Sequence, residues 1–314
     1  MKIQKNIILA PYTTYKIGGP ARYFIESDNE ENVVGAVSWA QKQGVPFFIL
    51  GGGSNILVSD NGFNGLVIRI RNQESGVTGS DPVTLEAGAG LGLPELVQNT
   101  VNNGLKGLEW ASGIPGTFGG AIRGNAGAFG GEIKDIIISV RFLDDKLKIH
   151  EFNNSECQFA YRDSIFKRNS EYIILSAEIK LEPSDREVLK KFSRDTIEYR
   201  AARHPLEYGS CGSIFKAIDV NSVDPSIYEK YPRFSREIKK DPFPVIPAAC
   251  FIDEAGLKRH RIGGAMISDK HPNFFVNYKN ARAEDVTKLV KFAKIRLMKN
   301  FGIAAEEEVQ YIGL

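Results

Sequence analysis

Residues 112–131 read SGIPGTFGGAIRGNAGAFGG, and eight of the chain's 31 glycines fall within this stretch. Glycine in a regular element destabilises that element by roughly 0.5–1 kcal/mol relative to alanine, so packing alone is a poor explanation for the run. We therefore expect a large flat group, or a highly phosphorylated one, to lie against this backbone. The alternative is a glycine-lined contact between helices.

A second glycine run, residues 51–53, follows a predicted buried strand and continues with Ser54 and Asn55. Backbone N–H groups can converge on an anion there without interference from Cβ atoms, and the two polar side chains add donors. A diphosphate suits such a site. The run does not match G-x-G-x-x-G, because isoleucine occupies the sixth place, and the chain has no G-x-x-x-x-G-K-[ST] motif. An ordinary glycine-rich turn is the alternative.

The region before this second run has the pattern of a strand, a helix and a strand. Residues 21–25 form the first predicted strand and residues 46–50 the second. Ser27 and Glu30 have the S-x-x-E spacing of a capping box, which satisfies free N–H groups at a helix start. Apolar residues then recur at helical spacing until Gly44 supplies a stop. A β-α-β unit is predicted.

Strands outnumber helices in the middle of the chain, and the mixture predicts an α+β fold. Further predicted strands comprise residues 56–58, 66–70, 83–87, 136–142, 148–152 and 172–181. Further helices are predicted over residues 93–103, 185–203 and 284–301. A second S-x-x-E box, Ser184 to Glu187, marks the start of the middle one. Residues 223–247 are expected to form a surface insertion with partial structure.

Composition excludes several classes of function. The 314 residues are 42% hydrophobic, which is enough for a sizeable core and two or three domains. The formal charge of +2 gives no reason to expect a nucleic-acid or membrane-surface partner. The first apolar run, residues 7–10, is too short for the core of a signal peptide, and no later run approaches the roughly 18 residues of a membrane span. A cytoplasmic location is expected.

Cysteine and histidine spacing indicates neither a disulfide framework nor a metal site. The three cysteines, Cys157, Cys211 and Cys250, lie far apart with no CxxC pair. The four histidines show no H-x-x-x-H spacing, and no G-x-S-x-G motif supports a serine hydrolase. We expect a reducing compartment and no bound metal.

Two glycine-rich segments from two α+β regions, with neither nucleotide motif, favour a long cofactor held between domains. The chain resembles the UDP-N-acetylenolpyruvoylglucosamine reductase family in motifs that follow the family order along nearly the whole chain. These motifs are residues 51–55, 112–131, 161–164 (YRDS), 211–216 (CGSIFK), 255–265 (AGLK with RIGGA) and the terminal Glu308 and Val309.

The resemblance implies an α+β fold that combines a two-subdomain FAD-binding module of the PCMH/VAO type with an α+β substrate-binding domain. It assigns residues 1–72, joined by 308–314, to the first FAD-binding subdomain, residues 73–203 to the second, and residues 204–307 to the UDP-sugar domain. FAD would be bound non-covalently. The implied cofactor contacts are Gly51, Gly52, Gly53, Ser54, Asn55, Ser112, Pro115, Gly116, Thr117, Gly119, Gly120, Asn125 and Gly127.

The family's activity is that of a UDP-N-acetylmuramate dehydrogenase in bacterial peptidoglycan synthesis, and so in cell-wall biogenesis, cell shape and cell division. NADPH reduces FAD and leaves, and UDP-N-acetylglucosamine enolpyruvate then enters the same site. Hydride passes to the terminal vinyl carbon, and a proton reaches the carbon beside the carboxylate. The resemblance implies a cytoplasmic monomer with these two small molecules as partners.

The resemblance also implies roles for individual side chains. Arg162 would stabilise the negative charge that develops on the substrate carboxylate, because a guanidinium can grip it through two parallel bonds. Ser213 would donate the proton, and Glu308 would assist it. Tyr161 and Lys216 would contact the substrate. Without the resemblance, Arg162 is most simply an ion-pair partner of its neighbour, Ser213 a turn residue and Glu308 part of an acidic surface.

Some positions depart from the family pattern. Ala217 stands where the family commonly has asparagine, and Gln310 where it usually has arginine. Residues 181–203 lack an obvious tyrosine-bearing loop, which predicts the subclass without it. Two rival interpretations are another flavin oxidase of the same superfamily, with covalent flavin, and a nucleotide-sugar or flavin-binding protein without turnover. The first is disfavoured, because neither glycine run contains histidine or cysteine.

Overall fold

The computed structural model describes residues 2–80, 83–240 and 243–314. Their strands are β1 (Gln4–Ile8), β2 (Pro20–Ser27), β3 (Phe47–Leu50), β4 (Ile56–Val58), β5 (Phe63–Ile70), β6 (Ser75–Ser80), β7 (Val83–Gly88), β8 (Leu105–Lys106), β9 (Gly127–Ala128), β10 (Gly131–Glu132), β11 (Ile137–Leu143), β12 (Ile149–Asn153), β13 (Ile173–Pro183), β14 (Ile218–Asp219), β15 (Val245–Ile246), β16 (Arg261–Ile262), β17 (Ala265–Ile267), β18 (Phe275–Asn277) and β19 (Gln310–Ile312). Their α-helices are α1 (Glu30–Gln43), α2 (Leu93–Asn102), α3 (Phe118–Arg123), α4 (Ile165–Arg168), α5 (Arg186–Arg203), α6 (Ser226–Lys230), α7 (Arg233–Arg236), α8 (Ala248–Glu254) and α9 (Ala283–Phe301).

The chain divides into two compact units. The first comprises Met1–Ile7, Ala21–Gly52 and Asn64–Arg200, and the second comprises Ile8–Pro20, Gly53–Phe63 and Ala201–Leu314. The shorter glycine run therefore contributes two residues to the first unit and its third to the second. The three-domain division implied by the resemblance stays a prediction.

One sheet of the first unit has the strand order β1-β2-β5-β3, in which β3 and β5 are parallel. Helix α1 buries Val33 and Val37 in the same apolar cluster as Leu66 and Ile68 of β5. The helix ends at Gly44, as predicted, where a φ of 63° suits glycine better than any residue with a Cβ. The predicted strand, helix and strand are confirmed.

The starts of two helices differ from the prediction. Asn29, and not Ser27, caps α1: its side chain accepts a hydrogen bond at 2.9 Å from the backbone N–H three residues on. Ser27 is the buried last residue of β2. Asp185, and not Ser184, caps α5 by accepting bonds at 2.8 and 3.0 Å from the second and third N–H groups after it. Both S-x-x-E boxes were wrong because a neighbouring Asn or Asp stands closer to the first turn.

A larger antiparallel sheet completes the first unit, with the order β12-β11-β13-β7-β6 and β8 also pairing with β13. Helices α2 and α3 contribute Leu96 and Phe118 to the same apolar cluster as Ile179 of β13. The strands predicted for this region are confirmed to within two residues at each end. The longer glycine run follows β7 and α2, so this sheet fixes where it begins.

The second unit has its own apolar core around α9. This helix buries Leu289 and Ala293 in one cluster with Phe251 of α8. Strand β19 pairs in parallel with β4, with Gln310 opposite Ile56. A three-stranded antiparallel sheet follows the order β16-β17-β18. These short strands leave much of the unit to irregular segments, which carry the candidate residues described below.

The insertion predicted at residues 223–247 has partial structure, namely α6, α7 and β15. Phe234 is fully buried, and its ring centre lies 4.3 Å from that of Phe251. The insertion is therefore packed into the core of the second unit and is more than a surface decoration. Two of its residues, Asp241 and Pro242, lie outside the described residues. Within the described ranges, no helix is long and apolar enough to cross a membrane.

Candidate functional site

The two glycine runs meet in the first unit. A Cβ added at Gly52 would lie 2.5 Å from Gly116 Cα, and one added at Gly51 would lie 2.5 Å from Thr117 Oγ1. Such close approach of two backbones requires glycine. Gly52 is exposed and Gly116 half-buried, so bare main chain faces outward where the runs touch.

The longer run passes from a loop into α3 at this contact. Thr117 caps the helix and accepts a bond from Gly120 N at 3.4 Å. The N–H groups of Phe118 and Gly119 donate to carbonyl groups that follow β7, at 2.8 and 2.9 Å. Those two donors are therefore used within the protein. Pro115 and Gly120, on either side of this cap, are exposed.

Close packing explains part of the longer run. A Cβ added at Gly119 would lie 2.7 Å from Ala89 Cβ, and one added at Gly131 would lie 2.4 Å from Trp110 Cδ1. The helix lies on the end of β7, and the residues after it lie on the tryptophan ring. At these two positions tight contact within the protein already demands glycine, whether or not a ligand is bound. Contact of Gly119 with FAD stays a prediction.

Two residues assigned to the cofactor have side chains bonded within the protein. Ser112 is buried, and its Oγ lies 2.8 Å from Ser193 Oγ of α5. Asn125 is fully buried; its Nδ2 donates to Ala160 O at 2.9 Å, and its Oδ1 accepts from Lys134 N at 3.0 Å. Contact of either residue with FAD stays a prediction. Both fix the path of the glycine-rich segment.

Tyr161 and Arg162 form the tip of a tight turn. Backbone hydrogen bonds of 3.0 and 3.1 Å between Ala160 and Asp163 close it. Arg162 has a φ of 56°, in the left-handed region that is costly for a residue with a Cβ. Asn125 holds one arm of the turn through its bond to Ala160. The surrounding structure therefore imposes this conformation, and imposed strain of this kind concentrates at functional sites.

The guanidinium of Arg162 lies against Gly127. Its Nη2 donates to Gly127 O at 2.7 Å, and its Nη1 lies 4.0 Å from Glu132 Oε1. A Cβ added at Gly127 would lie 2.7 Å from Glu132 Cγ and 3.2 Å from the guanidinium, so glycine makes room for both. Glu132 also pairs with Lys134 Nζ at 2.6 Å. The side chain of Arg162 keeps 22% of its surface exposed, and that part can reach an anion.

The charged side chains around Arg162 include more cations than carboxylates, namely Lys134, Lys167 and Arg168 against Glu132 and Asp163. Asp163 pairs with Arg168 of α4, and Lys167 Nζ donates to Arg162 O at 2.7 Å. The Tyr161 ring centre lies 5.0 Å from Arg162 Cζ, which is within cation–π range. Positive charge therefore gathers around this turn, as a carboxylate or phosphate ligand would require.

The rest of the shorter glycine run lies in the second unit. Gly53 has a φ of 63°, and a Cβ there would lie 2.2 Å from Tyr12 O. Ser54 and Asn55 are half-buried. Asn55 Nδ2 donates to Glu308 O at 3.2 Å. This bond ties the glycine run to the segment that carries the predicted catalytic carboxylate.

Ser213 begins a short extended segment, residues 213–216, that lies between two others. On one side an antiparallel bridge joins Ser213 to Phe274. On the other side Glu308 N donates to Ile214 O at 2.8 Å. Ser213 and Glu308, which are far apart in sequence, are thereby brought together. Apart from its chain neighbours, a Cβ added at Gly212 would meet no described atom within 4 Å, so the space beside Gly212 is open.

The three consecutive glutamates of the terminal segment have different environments. Glu306 is exposed and pairs with Lys216 Nζ at 2.5 Å. Glu307 is half-buried and accepts bonds from Lys294 Nζ, at 2.6 Å, and from the Tyr311 hydroxyl. The interpretation of this stretch as a solvated acidic surface therefore fails for Glu307. Lys216, the predicted substrate contact, has an anionic partner within the protein.

Burial raises the pKa values of two groups in the same unit as Ser213, the Cys211 thiol and the Tyr311 hydroxyl. Burial raises the pKa of the Cys211 thiol, and the nearby charge of Glu308 raises it further. The thiol therefore stays protonated and is a packing group, since only the thiolate is a strong nucleophile. Burial and the bond to Glu307 also raise the pKa of Tyr311. Of the residues that the structure describes, no three His, Cys, Asp or Glu side chains are placed to hold a metal ion.

The structure thus gathers the candidate residues into two groups, one in each unit. The first unit holds Arg162 and Tyr161 near Gly127 and Asn125, and separately joins Gly51 and Gly52 to Gly116 and Thr117. The second unit holds Ser213, Lys216, Asn55 and Glu308. Sequence reasoning missed Glu132 and Glu306, the partners of Arg162 and Lys216, and Asn273, which bonds both backbone groups of Phe215, because no motif or periodicity marks them.

Two sequence profiles match the chain. A profile of the FAD binding domain matches residues 21–153. A profile of the C-terminal domain of UDP-N-acetylenolpyruvoylglucosamine reductase matches residues 204–312. The protein is therefore a flavoprotein by fold, and the predicted α+β architecture, an FAD-binding domain with a further C-terminal domain, is confirmed.

Relatives cover the whole chain. The UDP-N-acetylenolpyruvoylglucosamine reductase of Solibacter usitatus is 37% identical over 100% of this chain and 97% of its own length. That of Alkaliphilus oremlandii is 36% identical over 96% of this chain and 90% of its own. The crystal structure of the Thermus caldophilus reductase has a TM-score of 0.78 and 31% identity, and the match covers 99% of both chains. The chain belongs to the UDP-N-acetylenolpyruvoylglucosamine reductase family and is an oxidoreductase.

Proposed function

We propose that this flavoenzyme uses NADPH to reduce UDP-N-acetylglucosamine enolpyruvate to UDP-N-acetylmuramate, a step of peptidoglycan precursor synthesis. The observation that carries the proposal is the pairing of residues 213–216 with residues 306–308. This pairing brings the backbone of Ser213 close to that of Glu308, in the domain that matches the reductase profile. We infer that the serine hydroxyl and the glutamate carboxylate act together there. Protonation of a carbon next to a carboxylate needs such a positioned acid.

The glycine contact fits FAD. Gly52, Gly116 and Gly120 present main chain without Cβ atoms, and Thr117 adds a hydroxyl at the same place. A diphosphate and a flat ring system both need backbone that can be approached this closely. When bound, FAD supplies hydride transfer, from NADPH to itself and then to the terminal vinyl carbon of the substrate. No histidine or cysteine lies in either glycine run to form a covalent link.

Ser213 would hold and deliver the proton. A serine hydroxyl is a weak acid in water, so this role depends on fixed geometry and on exclusion of solvent. The pairing with Phe274 and with the 306–308 segment fixes the backbone of Ser213 on both sides. Glu308 would orient the hydroxyl or return its proton. Burial raises the pKa of the neighbouring Cys211 thiol, and the charge of Glu308 raises it further.

Arg162 would hold the substrate carboxylate as negative charge develops on it. Glu132 and Gly127 O fix part of the guanidinium, and the exposed part remains for the ligand. A donor that is positioned before the reaction stabilises such charge without a reorganisation cost. Tyr161, stacked on the same guanidinium, would line the substrate path.

Lys216 would contact a substrate phosphate after leaving Glu306. The side chain of Glu306 is 71% exposed, so solvent weakens its ion pair with Lys216. A diphosphate carries more charge than one carboxylate and is the stronger partner. The proposed contact therefore replaces an existing ion pair and does not add a new charge to the protein surface.

The test is spectroscopic and anaerobic. We expect purified protein to carry the absorbance of bound oxidised FAD, to lose it on addition of NADPH, and to regain it on addition of the enolpyruvyl substrate. A protein that stays colourless after reconstitution with FAD would contradict every flavin interpretation. A protein that is reduced by NADPH but not reoxidised by the substrate would contradict the assigned substrate. NADH in place of NADPH tests the nucleotide preference.

A further inference from the structure

Asn273 is a buried amide that holds the segment beginning at Ser213. It is 5% exposed and lies just before Phe274. Its Oδ1 accepts from Phe215 N at 3.0 Å, and its Nδ2 donates to Phe215 O at 2.8 Å. Its own backbone O accepts from Ile214 N at 2.9 Å. One residue thus bonds three backbone groups within two residues of Ser213.

We propose that Asn273 is a positioning residue that fixes the Ser213 hydroxyl for proton delivery. The inference rests on the proposed role of Ser213 and extends it to a residue that no motif marks. An amide is suited to this task because it carries a donor and an acceptor and can satisfy both polar groups of Phe215 at once. Apolar side chains can do neither, and a carboxylate can only accept.

The position of Asn273 gives its hydrogen bonds an effect beyond local stability. Residues 213–216 are bonded to Asn273 on one edge and to residues 306–308 on the other. Asn273 therefore sets where the Ser213 segment lies relative to the Glu308 segment. A displacement of about 1 Å in a reacting group can cost on the order of 100-fold in rate.

The same part of the chain offers a matched control. Asn277 is a half-buried asparagine whose Nδ2 donates to Tyr15 O at 3.2 Å and whose Oδ1 accepts from Ala281 N at 2.8 Å. Like Asn273, it bonds backbone groups on two sides. Unlike Asn273, its side chain makes no bond to residues 213–216. Loss of Asn277 should therefore cost structure without moving Ser213.

The experiment compares Asn273→Ala and Asn277→Ala in the FAD-loaded enzyme. For Asn273→Ala we expect reduction by NADPH within a few-fold of wild type, and reoxidation by saturating enolpyruvyl substrate slowed on the order of 100-fold. Asn277→Ala should leave both half-reactions nearly unchanged. Peptide hydrogen exchange over residues 211–217 should quicken in Asn273→Ala alone.

A double mutant with Ser213→Ala distinguishes a positioning role of Asn273 from a general loss of structure. In a Ser213→Ala background, Asn273→Ala should slow reoxidation by no more than a few-fold further, because both changes remove one function. Multiplicative slowing would overturn the proposal, as would normal reoxidation in folded Asn273→Ala. If Ser213→Ala itself leaves reoxidation unchanged, the proposed function of Ser213 is what fails.

A second variant is available if Asn273→Ala does not fold. Asn273→Asp keeps the volume and the acceptor but loses the donated bond. A normal reoxidation rate in Asn273→Asp would also refute the positioning role of Asn273.

Discussion

Asn125 provides a test that separates a structural role from a cofactor role. Its amide donates to Ala160 O and accepts from Lys134 N, at 2.9 and 3.0 Å, and the side chain is fully buried. Asn125→Ala removes both bonds, one to the exposed Ala160 and one to the half-buried Lys134. Each such bond contributes about 0.5–1.5 kcal/mol net, so the free energy of unfolding should fall by about 1–3 kcal/mol.

The assay is urea denaturation of the FAD-free protein, followed by far-UV circular dichroism. A loss of this size is a large share of the roughly 5–15 kcal/mol that holds a protein folded, so the midpoint should fall clearly. Asn221→Ala, at an exposed position, is the control and should leave the midpoint unchanged. The turn that carries Arg162 should also loosen, and reoxidation by the substrate should slow.

The opposite result would refute this reasoning. If Asn125→Ala keeps the midpoint of the FAD-free protein but weakens FAD binding strongly, then Asn125 acts on the cofactor, as the resemblance implies. The contact of Asn125 with the Arg162 turn would then be incidental.

Three further outcomes follow from the contacts described above. Arg162→Lys should slow reoxidation by the substrate on the order of 100-fold while reduction by NADPH stays near wild type, because one ammonium cannot replace the planar fork; equal loss in both half-reactions would contradict the role of Arg162. Burial lowers the pKa of His271 to about 4, so its neutral form favours the folded state. Its contribution to stability is complete above pH 6.5 and is lost as the pH falls to 4, by about 3 kcal/mol, and His271→Gln should remove this dependence in urea midpoints measured across that range. Cys211→Ala should leave both half-reactions within a few-fold of wild type in stopped-flow assays, since its thiol stays protonated; abolished turnover would show a chemical role.

Local signals in the sequence predicted much of the fold. Gly44 ends α1 as expected, since the left-handed conformation at a helix end selects glycine. The two glycine runs stand out from composition alone, and Gly52 and Gly116 do touch. The helix starts were misplaced because Ser, Asn and Asp are nearly equivalent caps, and only the path of β2 shows that Ser27 is still in a strand.

The candidate site was predicted less completely. The resemblance supplied Ser213 and Glu308, but no periodicity could pair residues 213–216 with 273–274 and 306–308, which are short irregular segments far apart in sequence. Gly119 and Gly131 suggested a ligand, and the structure shows that each also lies tightly against a neighbour in the protein, Ala89 and Trp110 respectively. Glycine is required both where a ligand approaches the backbone and where another part of the protein packs against it, and the sequence does not distinguish the two cases.

Single-turnover kinetics of Ser213→Ala test the central claim, that Ser213 delivers a proton to the substrate carbon. Wild-type and variant enzymes are reduced anaerobically with NADPH and then mixed with the enolpyruvyl substrate in a stopped-flow spectrometer. We expect equal rates of reduction by NADPH and reoxidation slowed by roughly 100- to 10,000-fold in the variant, because only the second half-reaction places a proton on carbon. Reoxidation at the wild-type rate, or equal slowing of both half-reactions, would contradict the claim.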